Sequence, residues 1–108
     1  MKELQIDEPI DPEAENRAAF IQEMGETLAS VRRYLNNNDT IWARKLAGEL
    51  RDSSMAMDLR QEPAEMLAML SLVLVDHLRG KTRLTHAQLL AMNPLLDAIE
   101  SLIGQLEA

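Results

Sequence analysis

Apolar residues recur along this chain at intervals of three and four, the signature of helices with one buried face. In the first run Ala14, Ile21, Met24, Leu28, Val31 and Leu35 share a stripe, with Arg17 the one polar residue on it. The stripe predicts a helix from residue 12 to about 35. Asp11 supplies an N-cap, Pro12 fits the first helical position, and Glu13 and Glu15 suit the positive end of the helix dipole. Gly25 lies inside the run and weakens it, since glycine costs about 1 kcal/mol relative to alanine in a helix interior. The segment Asn36-Asn37-Asn38-Asp39 then reads as a turn, because Asn and Asp tolerate left-handed backbone angles and cap a following helix.

A second helix, running to roughly Asp58, carries Ala43, Leu46, Leu50, Ser53 and Met57 on its expected buried stripe. Gln61-Glu62-Pro63 restarts the chain, and from Met66 to Leu78 the third helix is apolar nearly all round. Its Ser71-Leu-Val-Leu-Val75 portion would suit a strand in isolation, but the distance from Pro63 to Gly80 favours a helix. Gly80 is a suitable residue just past the end, and Arg79 and Lys81 suit the negative pole. Thr85 followed by Gln88 has the spacing of a capping box. Behind it Leu89, Met92, Leu96, Ile99, Ile103 and Leu106 keep one phase across Asn93-Pro94. Proline there sacrifices a hydrogen bond, so the expectation is one kinked helix or two nearly collinear pieces. Short connections make consecutive helices antiparallel neighbours. The expected fold is therefore all-α: an antiparallel up-down four-helix bundle over residues 12–108, preceded by a flexible acidic N-terminal segment, residues 1–11.

Composition refines this picture. The 108 residues suffice for one domain and one core, and 46% hydrophobic residues with only 3% aromatics imply a core of aliphatic and methionine side chains. The absence of cysteine excludes disulfides, thiolate catalysis and cysteine zinc sites. The net charge of −7 is uneven: residues 1–15 carry −5 and the other 93 only −2. No basic excess points to nucleic acid. The acidic head reads as a solvated tail rather than a partner-binding arm. It lacks the apolar core of a secretory signal, and residues 66–75 are too short a run to span a bilayer. A cytoplasmic protein with no membrane contact is expected.

Enzyme signatures are scarce. The sequence holds no Gly-rich phosphate loop, no H-E-x-x-H, no G-x-S-x-G and no Glu-x-x-His pair. Asp76 and His77 are adjacent and point about 100° apart on a helix, while His77 and His86 could approach only across the 80–85 loop. Both histidines read as surface or helix-end residues, so no metal, no cofactor and no catalytic residue are expected. Of the seven methionines, Met24, Met57 and Met92 fall on core stripes. A helix apolar around its circumference cannot hide everything in such a bundle, so part of Met66–Val75 is available to a partner or to a second subunit, giving a homodimer through the third helix.

One glycine is conspicuous. Gly48 interrupts Thr40-Ile-Trp-Ala-Arg-Lys-Leu-Ala-Gly-Glu-Leu-Arg-Asp-Ser-Ser54 at its middle. It lies off the expected buried stripe, and Arg44, Gly48, Arg51 and Met55 share an outward face at i, i+4, i+7 and i+11. Residues 17–107 resemble the histidine phosphotransfer (HPt) family of bacterial two-component signalling. In that family a turn ending in Gly-Asp precedes, by some eight residues, the motif H-x-L-K-G-S on the second bundle helix. Residues 20–39 resemble the family's first bundle helix and turn, and residues 40–54 its active helix. On that likeness Gly48 occupies the place of the phosphoacceptor histidine, Leu50 that of the leucine, Arg51 the lysine, Asp52 the glycine and Ser53 the serine.

The resemblance implies a regulator without catalysis, binding a response-regulator receiver or a sensor kinase through Arg44, Gly48, Arg51, Asp52 and Met55. Asp52 adds bulk and negative charge where the family keeps glycine. The alternative is a helical partner-binding protein of another class, such as a secretion chaperone, an anti-factor or a toxin-neutralising protein, using the apolar third helix or the acidic head. A working phosphotransfer enzyme would have to use His77 or His86.

Overall fold

A computed structural model describes residues 12–57 and 62–106. Four helices and no strands occur among them: α1 (Pro12–Asn36), α2 (Thr40–Met55), α3 (Glu62–Leu78) and α4 (His86–Gln105). The acidic segment 1–11 with its Asp11 cap, Asp58 and the Gln61 restart lie outside the described residues, as does the side chain of Ala14. No helix among the described residues is long and apolar enough to cross a membrane.

Local chemistry sets the boundaries. Asn38 takes a left-handed φ of 56°, which turns the chain sharply after α1. Asp39 then caps α2, its side chain accepting from the Trp42 N–H at 3.2 Å. The closing residue after α3, Gly80, has φ 74°, a region that costs glycine nothing. Both halves of the Thr85–Gln88 capping box are formed, at 3.1 and 2.8 Å. Pro94 sits inside α4, which continues as one helix, and Met92 and Leu96 on either side of it are both buried. The carbonyl that loses its donor to the proline ring belongs to Leu90, which is exposed and can be hydrated.

Each helix packs on its successor, and α4 closes the ring against α1, while the diagonal helices, among the described residues, keep their backbones farther apart. The core runs through Met24, Leu28, Val31 and Leu35 of α1, Leu50 of α2, Leu67, Leu74 and Leu78 of α3, and Leu96 and Ile99 of α4. Ile21 and Leu89 pack against it half-buried. On α2 the buried stripe is Thr40, Ala43, Ala47, Leu50 and Ser54, not the stripe through Leu46 and Ser53, which are only half-buried. Small residues take the inside because α2 packs against both α1 and α3, and short side chains let helix axes draw together.

Two small hydroxyls are fully buried. Ser54 donates to the Leu50 carbonyl at 2.8 Å, whereas the Ser71 hydroxyl has no hydrogen-bond partner. A buried polar group without a partner costs roughly 1–3 kcal/mol, so Ser71→Ala is expected to stabilise the fold by about 1 kcal/mol in urea denaturation. A lower midpoint would show that the hydroxyl is satisfied after all.

Two polar links tie distant segments together at one end of the bundle. The Asn38 amide donates to the Leu84 carbonyl at 2.8 Å and accepts from the Leu84 N–H at 2.9 Å. The buried Thr40 hydroxyl donates to the Lys81 carbonyl at 2.7 Å. This clasp joins the α1–α2 turn to the α3–α4 loop. On the outside, one Arg32 nitrogen reaches Asp97 at 2.9 Å and Glu100 at 2.8 Å, linking α1 to α4.

Candidate functional site

The outward surface of α2 holds the residues singled out by the sequence. Arg44 and Met55 are exposed, Gly48 and Arg51 half-buried and Asp52 exposed. A side-chain carbon placed on Gly48 would meet nothing within 4 Å beyond its own stretch of helix. Gly48 therefore does not serve a close approach between backbones, the usual packing reason for a mid-helix glycine. The position has room for a Cβ.

The two flanking guanidinium groups differ. Arg51 curls onto its neighbour, its Nε and Nη2 donating to one Asp52 oxygen at 3.2 and 2.9 Å. The pair is solvent-accessible and worth at most about 1 kcal/mol, but it halves the positive charge expected on this face. Arg44 makes no ion pair among the described residues and is the cation this surface offers outright.

On the adjoining face lies a group that spacing alone does not reveal. Tyr34 of α1 and Trp42 of α2 stack with ring centroids 6.1 Å apart at 23°. The Lys45 ammonium lies 4.7 Å over Trp42, and the Arg33 guanidinium 5.2 Å over Tyr34. The result is a ladder of cation, ring, ring and cation across the α1–α2 edge. Trp42 is 47% exposed and Ile41 beside it 61%. The chain has a single tryptophan and a single tyrosine, and both are here. Aromatics and arginine in this setting are the usual anchors of protein interfaces. The available signal was these two rings on either side of one turn, Tyr34 directly after Arg33 and Trp42 three residues before Lys45.

The histidines stay apart from this surface. His77 is exposed in the last turn of α3 and lines a shallow cavity with Lys81, Leu84, Gln88, Met92 and Leu95; His86 does not line it. Asp76 is engaged by Arg79 at 3.3 Å. Among the described residues no three His, Asp or Glu side chains are grouped to hold a metal ion.

The methionines divide evenly among the described residues. Met24, Met57 and Met92 are buried, whereas Met55, Met66 and Met69 are 57%, 44% and 59% exposed. Leu72 and Val73 are exposed on α3 as well.

No protein-family model matches the chain, and comparison with curated proteins and with solved structures gives no match either.

Proposed function

We propose that the protein is a non-catalytic signalling regulator of HPt-like design. It would be an antiparallel up-down bundle that docks a receiver domain or a sensor kinase on the outward surface of α2. The alternation of helix direction is supported by the clasp, which ties the start of α2 to the end of α3. It is supported also along α1 and α4, where Leu35 and Asn36 line one cavity with Leu89 and Asn93, while the earlier Gly25 and Leu28 line another with the later Glu100.

The observation that carries the functional reading is the open, side-chain-free position at Gly48, one turn beyond Arg44, which has no ion pair among the described residues. A phosphotransfer domain needs a nucleophile at such a place. A chain that keeps the exposed helix and a flanking cation but lacks the nucleophile can occupy the partner's surface without relaying phosphate. Binding would rest on Arg44, with Trp42 and Met55 as apolar anchors, against an acidic partner surface.

Arg44→Glu provides the test, because Arg44 makes no ion pair among the described residues and its loss should leave stability within about 0.5 kcal/mol of wild type. Affinity for a receiver or kinase from the same cell, measured by calorimetry, is expected to fall at least about tenfold, or about 1.4 kcal/mol. Unchanged affinity in the folded variant would remove this face from the account.

A further inference from the structure

The outer side of α3 presents Met66, Met69 and Val73 on one stripe at i, i+3 and i+7, with Leu72 at its edge. All four are at least 40% exposed, although α3 is already packed between α2 and α4. The charges around this stripe are ordered. Glu62 and Glu65 occupy the first turn of α3, and Arg79, Lys81 and Arg83 follow its end. Asp76 offsets part of that positive charge through its bond to Arg79.

A surface acidic at the start of the helix, apolar in its middle and basic just past its end is complementary to itself after a half-turn, which also brings Asp76 opposite Met66. A two-fold axis at Ser71, midway between Met69 and Val73, sets Met69 of one copy against Val73 of the other. It also sets Glu62 against the 79–81 stretch. The helix dipoles then run antiparallel, which is favourable. A parallel pairing would bring acid to acid and base to base.

We infer that α3 is the interface of an antiparallel, two-fold homodimer of this chain. The contact is isologous, so it closes on itself and does not propagate into filaments. Two methylenes, a sulfur and a terminal methyl in each methionine let the two surfaces adapt to one another at modest cost in shape. The inference rests on α3 side chains and stands apart from the docking role of α2.

Sedimentation equilibrium of the full chain, from about 1 μM to about 1 mM, reads it directly. The wild type is expected to show a monomer–dimer equilibrium. Val73→Glu, which places two like charges near the axis, should weaken dimerisation at least about tenfold with helical circular dichroism unchanged. Met69→Glu, at the most exposed position of the stripe, serves if Val73→Glu fails to fold. Glu62→Lys and Lys81→Glu should each weaken the dimer, and the double variant should recover most of the loss. A wild type that stays monomeric throughout, a dimer indifferent to both stripe variants, or a charge swap that rescues nothing would overturn the inference. So would a stripe that binds only a different protein.

Discussion

Asn38→Ala is expected to destabilise the protein by about 2–3 kcal/mol, a large share of the stability of a domain this size. Two hydrogen bonds to the Leu84 backbone disappear together, and alanine tolerates the left-handed backbone less well than asparagine does. Each lost bond contributes about 1 kcal/mol where the Leu84 groups cannot find water, and alanine's poorer tolerance of the angle adds up to about 1 kcal/mol. Asn38→Gly separates the two causes, since it keeps the angle and loses only the bonds; it should fall between wild type and alanine in urea denaturation. If alanine and glycine proved equally stable and close to wild type, the clasp would carry no energy and the two loops would be joined by packing alone.

The second large effect is a gain. On the phosphotransfer-like reading, Gly48→His is expected to give a chain that accepts a phosphoryl group from a phosphorylated receiver, where the wild type takes none at this position. The added Cβ would meet no neighbour outside its own helix, and histidine is a slightly better helix former than glycine. Adding Asp52→Ala should increase the yield, because it releases Arg51 from its present partner to face the incoming phosphoryl group. Acid-labile label at the introduced imidazole is the readout. A folded double variant that stays unlabelled would leave the likeness to phosphotransfer domains as a coincidence of bundle geometry.

The features that sequence reading recovers are those governed by neighbours in the chain. The Asp39 cap, the left-handed Asn38, the Gly80 stop and the Thr85–Gln88 box all act within a few residues, so residue type and spacing suffice. The α1 and α4 stripes were legible because large aliphatics mark them. On α2 the same habit misled: Leu46 draws the eye, but Ala47 and Ser54 go inside, because what the space between packed helices admits is volume rather than hydrophobicity. The candidate surface was legible as a set of positions and not as a charge. That Arg51 would turn to Asp52 depends on a flexible side chain with few competitors nearby. The Tyr34–Trp42 ladder and the Asn38–Leu84 clasp join residues from different elements, and nothing in their local sequence specifies the partner.

The clasp has a consequence for the molecule as a whole. It gathers residues 31–45 and 76–86, which hold seven of the chain's eleven lysines and arginines against two aspartates, with Asp97 and Glu100 drawn to Arg32 from α4, although the full chain sums to −7. An acidic protein is thereby made electrically lopsided, with a cationic tip. Near an anionic surface at low salt it would swing that tip forward before any contact forms, and within one Debye length of physiological salt, about 8 Å, the torque would fade.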